Sequence, residues 1–237
     1  MQLFVTPYVQ KWDIILISNI LLLHQCRKVL RMRLGDTMCV QDGPLAKQRH
    51  TIRIDSWDDK QLQGVVEKTD ACMHTLSPVR MLVAMPNRWD KAELIVQKLS
   101  EIGVAAISFW PAHRSVIKQN NDAKMERLSK IAQEATEQSW SWRVPNISFV
   151  NDIVSWIADD ELIVFDKGED MWPLFSRSIP WDIVWLIWPE WGLSKEDYAI
   201  LPKHIVVTLG NTIYRTETAS IVGGRYLVSK HSDEKNS

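Results

Sequence analysis

The residues best suited to chemistry lie in three segments, each of which follows a short apolar run. They are residues 166–169, 188–192 and 210–218. The third segment opens a predicted helix with Thr216 and Glu217 near its start, where backbone N–H groups lack helical partners. Arg215 adds a fixed positive charge beside them. Capping and charge balance of the helix would explain Arg215 and Glu217 as well as a role in binding or catalysis would. The spacing alone leaves both interpretations open.

Familiar nucleotide-binding and hydrolytic motifs do not occur in the sequence. There is no Gly-x-x-x-x-Gly-Lys-Ser/Thr loop, and no Gly-x-Gly-x-x-Gly follows a predicted strand, so nucleotide hydrolysis and ordinary dinucleotide binding are disfavoured. A Gly-x-Ser-x-Gly elbow and a His-Glu-x-x-His helix are also missing. The cysteines Cys26, Cys39 and Cys72 form no Cys-x-x-Cys pair, which argues against a disulfide framework and a zinc site. We therefore expect no metal and a reducing, cytoplasmic location.

Charge and hydropathy limit the partners of the protein. The most apolar run, residues 14–23, contains Ser18 and Asn19 and is shorter than the roughly 20 residues of a membrane span. No charged leader with a small-residue cleavage site precedes it. The formal net charge is -1, so contact with nucleic acid requires a local basic surface. The sequence thus predicts no membrane contact.

The chain is predicted to contain two domains of different architecture. Residues 1–75 hold short strand-like runs separated by Gly-Asp, Asp-Gly and Asp-Asp pairs, which is typical of a small β-barrel. Residues 76–237 alternate strands with helices, which predicts an α/β fold with a mostly parallel sheet and helices on both faces. The predicted helices are 91–102, 123–138, 195–201 and 216–228, followed by a frayed polar tail from residue 231. Ligands bind beyond the carboxyl ends of such strands, so the three segments should form one site.

The third segment resembles a known signature. Residues 209–219 read Leu-Gly-Asn-Thr-Ile-Tyr-Arg-Thr-Glu-Thr-Ala. This resembles the Leu-Gly-x-x-Ile-Leu-Arg-Thr-Glu-Thr-Ala motif of the uridine-N3 ribosomal RNA methyltransferases of the SPOUT superfamily. Four other segments resemble that family in the same order, at 28–36, 96–104, 114–116 and 134–139. Together the five motifs cover nearly the whole chain.

The resemblance implies a fold, a reaction and partners. The fold is a SPOUT-type sheet ending in a trefoil knot over residues 76–237, preceded by a PUA-like, RNA-binding β-barrel over residues 1–75. The reaction is transfer of a methyl group from S-adenosyl-L-methionine to N3 of a uridine in 16S ribosomal RNA, within the small subunit. The implied assembly is a homodimer through the knotted domain. The implied cofactor-binding residues are Phe165, Asp166, Trp188, Pro189, Glu190, Gly192, Leu209, Gly210, Ile213 and Thr216.

The resemblance also suggests roles for charged residues. Methyl transfer is an in-line displacement with a neutral thioether leaving, so the protein chiefly positions the reactants. Arg215 would stabilise the developing anion or hold a phosphate, and Glu217 would be a base or a structural partner of Arg215. RNA-binding residues would be the basic run Arg27, Lys28, Arg31 and Arg33, together with Arg114. A merely solvated face is the other interpretation of the basic run.

Tryptophan is in excess and glycine is short. The chain has 12 Trp and 9 Gly, whereas about 7% glycine is usual. Family glycines are replaced by Trp140, Trp188 and Trp191, and six further tryptophans lie in turn-like settings, at Trp12, Trp57, Trp89, Trp156, Trp172 and Trp181. One explanation is a degenerate enzyme that has lost its cofactor. We favour the hypothesis that UGA codons meaning glycine were translated as tryptophan, with a few tryptophans being genuine core residues.

Two other functions remain open at this point. A different SPOUT methyltransferase would act on another RNA or another atom. A non-catalytic RNA-binding or ribosome-assembly factor would result if Trp188 and Trp191 are genuine and block the pocket.

Overall fold

The computed structural model describes residues 1–73, 76–158, 160–170, 183–188, 192–210 and 212–233, with the backbone alone at 167–170 and 231–233. The strands are β1 (Leu3–Val5), β2 (Val9–Lys11), β3 (Ile14–Ile17), β4 (Thr37–Gln41), β5 (Gln48–Trp57), β6 (Leu62–Ala71), β7 (Arg80–Ala84), β8 (Ala106–Trp110), β9 (Asn146–Phe149), β10 (Glu161–Asp170), β11 (Ile183–Ile187) and β12 (His204–Thr208). The helices are α1 (Ile20–His24), α2 (Trp89–Ile102), α3 (Asp122–Ser139), α4 (Ile153–Ile157), α5 (Lys195–Ile200) and α6 (Thr216–Asp233). A π-helical turn, Gln25–Val29, continues α1.

The chain divides into two compact units. The first comprises Met1–Thr75 and Thr136–Arg143, and the second comprises Leu76–Ala135 and Val144–Ser237. Among the described helices, none combines the length and the apolar character that crossing a membrane requires.

The first unit is built on a six-stranded sheet of order β1-β4-β5-β6-β3-β2. Its neighbouring strands are antiparallel except for β1 and β4. Alternate residues such as Ile52 and Ile54 point into a core that also holds Phe4 and Met38. Gly64 lies against this core, because a Cβ there would come within 2.6 Å of Cδ1 of Ile52.

Residues 136–143 are attached to the first unit by a buried arginine. The guanidinium of Arg49 donates hydrogen bonds to Oε1 of Gln41 at 2.9 Å, to the carbonyl of Trp140 at 2.9 Å and to the carbonyl of Ser141. It also lies 4.0 Å from the ring centroid of Trp142. A buried cation is stable only when its donors are satisfied, so these bonds hold the segment in place.

The second unit is an α/β structure with a parallel sheet of order β12-β10-β11-β7-β8-β9. Every neighbouring pair in it is parallel. One face of the sheet packs with α2, α3 and α6, and the other packs with α4 and Tyr198 of α5. The predicted α/β fold, with a mostly parallel sheet and helices on both faces, is therefore confirmed.

Two glycines let α6 approach its neighbours closely. A Cβ at Gly223 would lie 3.2 Å from Cε2 of Phe165, and one at Gly224 would lie 2.5 Å from Cδ2 of Leu99. The start of the helix is fixed as well, because the hydroxyl of Thr216 donates to the carbonyl of Trp188 at 3.1 Å. This packing brings the Arg-Thr-Glu-Thr-Ala segment to the end of β11.

Several elements differ from the sequence-based expectation. The apolar run 14–23 splits into β3 and α1 because the side chain of Asn19 caps the helix, accepting from the amides of Leu21 and Leu22. The expected loop after residue 165 is instead a continuation of β10 to Asp170, with a register shift between Phe165 and Glu169. The expectation of a frayed tail from residue 231 was wrong for residues 231–233, where α6 continues.

Candidate functional site

The three chemically promising segments start at neighbouring strand ends. β10 pairs with both β11 and β12, and Phe165 lies opposite Ile187 on one side and Val207 on the other. Residues 166, 188 and 209 therefore lie close together, with residue 166 at the irregularity of β10 and the other two just after β11 and β12. The predicted cofactor-binding residues Pro189 and Glu190 lie outside the described residues, as does Trp191.

Glu217 presents an unusual carboxylate at the start of α6. Its Oε2 atom is buried and has no hydrogen-bond partner among the residues that the structure describes. A desolvated carboxylate oxygen is costly unless a donor reaches it, which makes this atom a candidate for a functional role. The neighbouring Thr216 is buried, whereas the side chain of Arg215 is exposed. Arg215 and Glu217, both described, form no ion pair with each other.

Asp166, directly after the buried part of β10, is bound by a tyrosine that the sequence analysis missed. The hydroxyl of Tyr198 donates to Oδ2 of Asp166 at 2.5 Å. Burial, reinforced by the hydrogen bond to Asp166, raises the pKa of Tyr198 well above its usual range. The tyrosine therefore stays protonated and remains a donor.

The loop that carries Arg114 is tied to the rest of the second unit at several points. The amide of His113 donates to Oδ1 of the buried Asp197 at 2.6 Å. The hydroxyl of Ser115 donates to the carbonyl of Met85 at 3.0 Å. The ammonium group of Lys118 donates to the carbonyl of Ala112 at 2.6 Å. These contacts fix the backbone at Arg114, and its side chain is exposed.

The other predicted cofactor-binding residues differ in burial and backbone conformation. Phe165 and Trp188 are buried, and Phe165 stacks on Trp185 with ring centroids 5.3 Å apart, so its side chain serves the core. Gly192 and Gly210 have φ values of 71° and 113°, in the left-handed region, and a Cβ at either would meet no atom within 4 Å. Leu209 is half-buried and Ile213 is exposed.

The basic run of the first unit is not uniform. Lys28, Arg31 and Arg33 have exposed side chains. Arg27 is already engaged by contacts within the protein. Its Nη1 lies 2.7 Å from Oδ1 of Asp59, and its guanidinium lies 4.9 Å from the ring centroid of Trp57. Arg27 is thus the member of the run least prepared to contact phosphate.

Two tryptophans adopt a backbone conformation that favours glycine. Trp12 has φ 59° and Trp140 has φ 57°, in the left-handed region, where L side chains are strained. Trp110 and Trp185 are instead buried within strands. The glycine hypothesis is favoured at positions 12 and 140 and disfavoured at 110 and 185.

Comparison with known proteins agrees with this architecture. The family model described as RNA methyltransferase domain matches residues 74–227, more than half of the chain. The chain therefore belongs to the RNA methyltransferases. It is 30% identical over 226 residues to the ribosomal RNA small subunit methyltransferase E of Bacillus subtilis (strain 168), covering 84% of this chain and 83% of that protein. Within the RNA methyltransferases, the chain belongs to the ribosomal RNA small subunit methyltransferase E family.

Solved structures share the fold over nearly the whole chain. A ribosomal RNA small subunit methyltransferase E from Neisseria gonorrhoeae, bound to S-adenosyl methionine, is 20% identical with a TM-score of 0.79, and 97% of each chain is covered. A probable rRNA-methyltransferase from Porphyromonas gingivalis is 24% identical with a TM-score of 0.78, covering 99% of this chain and 100% of that one. At these identities the likeness concerns the fold.

Proposed function

We propose that this protein transfers a methyl group from S-adenosyl-L-methionine to N3 of a uridine in 16S ribosomal RNA. The observation that carries the proposal is the start of α6, where the Arg-Thr-Glu-Thr-Ala sequence lies beside the ends of parallel strands. There, Oε2 of Glu217 is buried without a partner among the described residues. Membership of the ribosomal RNA small subunit methyltransferase E family supports the assignment.

The residues present fit the cofactor. Asp166 offers an oriented carboxylate, and the open backbone at Gly192 and Gly210 permits a ligand to approach closely. The proposed site would be completed, through backbone or side chain, by Phe165, Trp188, Pro189, Glu190, Leu209, Ile213 and Thr216. When bound, S-adenosyl-L-methionine supplies an electrophilic methyl carbon and a neutral thioether leaving group. The protein's own contribution is to hold that carbon in line with uridine N3.

Charged residues at the site suit the removal of the N3 proton. A uridine N3 attacks a methyl carbon only as its proton leaves, so a base must lie within hydrogen-bond reach. We assign proton acceptance to Glu217, whose Oε2 has no partner within the described part of the chain. Arg215, exposed beside it, would stabilise the anion that develops on the uracil or hold an RNA phosphate. Of the two roles, that of Arg215 has the stronger support from the family motif.

The remaining parts of the proposal concern architecture and partners. The second domain, residues 76–237, would contain the SPOUT trefoil knot and pair with a second copy through it. The exposure of Ile213 and Val222 supports an apolar contact there. The first domain, residues 1–75, would be a PUA-like barrel that binds RNA through Lys28, Arg31 and Arg33, with Arg27 more weakly and Arg114 from the second domain. The substrate would be the small ribosomal subunit in the cytoplasm.

Calorimetry with S-adenosyl-L-methionine tests the cofactor assignment. We would titrate the chain as written and a form with Trp188→Gly and Trp191→Gly. Binding by either form supports the proposal, and binding by the glycine form alone supports the glycine hypothesis. Binding by neither leaves the non-catalytic RNA-binding factor as the better function.

Mapping methyl groups in 16S ribosomal RNA from a deletion strain tests the reaction. We expect one uridine to lose its N3 methyl group and the chain supplied in trans to restore it. An unchanged methylation pattern would refute the assignment. A lost methyl group on another atom or another RNA would favour a different SPOUT methyltransferase.

A further inference from the structure

We infer that α5 positions both halves of the proposed site through two adjacent residues. Asp197 fixes the loop that carries Arg114, on the RNA side, and Tyr198 orients Asp166, on the cofactor side. Both are positioning residues, since each acts through another side chain. The inference rests on the proposed function where it is tested by kinetics. Its test by hydrogen exchange does not depend on that function.

Asp197 ties two loops together inside the second unit. Its side chain is 1% exposed, and each carboxylate oxygen accepts a backbone amide. Oδ1 binds the amide of His113 at 2.6 Å and Oδ2 binds the amide of Ser194 at 2.8 Å. Because a buried carboxylate is costly without such bonds, both amides are held firmly. The segment after β8 is thereby attached to the segment after β11.

The same residue also stabilises the start of α5. The hydroxyl of Ser194 accepts the amide of Asp197 at 3.2 Å, which completes a capping box. A helix cap alone would need only one of the carboxylate oxygens. The second oxygen reaches His113, 84 residues earlier in the chain, and this bond goes beyond local helix capping.

Tyr198 holds the side chain of Asp166, as Asp197 holds the backbone at His113. Its ring packs against the core on the α4 face of the sheet and lies 5.7 Å from the ring of His204, so the hydroxyl has little freedom. The hydroxyl binds Oδ2 of Asp166 at 2.5 Å, 32 residues away in sequence. This bond restricts the orientation of the Asp166 carboxylate. Adjacent residues of one short helix thus set two parts of the site.

Two conservative variants separate these effects. Tyr198→Phe keeps the ring but loses the hydroxyl. It should raise the Kd for S-adenosyl-L-methionine about tenfold, because losing one hydrogen bond to a charged group changes an equilibrium constant by about that factor. The KM for RNA should stay within twofold. Asp197→Asn loses one acceptor and should raise the KM for RNA about tenfold, with a smaller rise in the cofactor Kd because Asp197 also stabilises the start of α5. Asp152→Asn, which alters the N-cap carboxylate of α4 away from these loops, is the matched control.

Double mutants identify the route of each effect. Asp197→Asn should add no further loss to Arg114→Ala, and Tyr198→Phe should add none to Asp166→Asn, because each pair acts as one unit. Fully additive losses in both pairs would overturn the inference. So would a uniform fall in all constants together with Tm, since that marks simple destabilisation.

Hydrogen exchange tests the positioning without turnover. In Asp197→Asn, the amides of residues 112–116 should exchange faster while those of α2 do not change. Unchanged exchange at 112–116 would overturn the role of Asp197 even in a protein that methylates RNA. Failure of the proposed function would appear separately, as an unmutated chain that binds no cofactor and transfers no methyl group.

Discussion

Replacing Trp12 with glycine should stabilise the protein. Trp12 and Asp13 form the two-residue turn between β2 and β3, where Lys11 pairs with Ile14. Trp12 has φ 59°, whereas Asp13 is not among the residues with positive φ. A positive φ at the first turn position alone is typical of a type II′ turn, which prefers glycine there. The Trp12 side chain is 93% exposed, so its removal costs little burial.

The size of the effect follows from the backbone. An L residue in the left-handed region costs about 1–2 kcal/mol, which glycine avoids. Glycine also lowers the stability by roughly 0.5–1 kcal/mol, because it gives the unfolded chain more conformational freedom to lose on folding. We therefore expect Trp12→Gly to raise the free energy of unfolding by about 0.5–1 kcal/mol, or Tm by about 2 °C for a chain of this length.

Urea unfolding of matched variants measures this effect. Trp12→Ala removes the same indole but keeps an L residue, so it should leave the midpoint nearly unchanged. Trp57→Gly, in β5 and stacked under Arg27, should lower the midpoint. A Trp12→Gly variant no more stable than Trp12→Ala would refute the strain argument and remove its support for glycine at this position.

Three further changes test other parts of the structure. Glu217→Gln should lower kcat for methyl transfer to small subunits at least about 100-fold, with cofactor Kd unchanged; a loss below threefold would exclude Glu217 as the base. Arg49→Lys should lower the free energy of unfolding in urea by about 1–3 kcal/mol because lysine cannot reproduce the fork to Gln41 and Trp140, and wild-type stability would contradict this. Burial, followed by the charge of Asp42, raises the pKa of Tyr8 to about 12. The stabilisation that protonated Tyr8 provides is thus fully present below pH about 10 and is lost as pH rises through about 12. Tyr8→Phe should flatten that part of the Tm profile, and an unchanged slope would count against it.

The parallel sheet was predictable because its central strands are continuous apolar runs bounded by turns. Buried strands such as β11 read that way from sequence alone. β1 was not predictable, since three residues are too few to show a period. The run 14–23 was equally ambiguous, because its division into β3 and α1 depends on the cap supplied by Asn19.

The site was predictable only where it follows a strand. Parallel-sheet topology indicates which loops meet, and on that basis Asp166 and Arg215 could be selected. Asp197 and Tyr198 could not, because they lie on a helix and their partners are 84 and 32 residues away. No local spacing encodes such a pair. The same holds for Arg49, whose partner Trp140 is 91 residues away.

Four of the described tryptophans separate into two classes by backbone and burial, and the glycine hypothesis predicts a matching difference in their codons. Trp110 and Trp185 lie in strands with buried rings, Trp185 in the core cluster of Phe165 and Trp110 in the cluster on the α4 face, and glycine at either position would leave a cavity. Trp12 and Trp140 occupy the left-handed region. If UGA was translated as tryptophan where glycine is meant, the codons should be UGG at 110 and 185 and UGA at 12 and 140. A uniform UGG at all four positions would refute that hypothesis. The excess of tryptophan would then mark a degenerate site around Trp188, whose buried ring packs in the core.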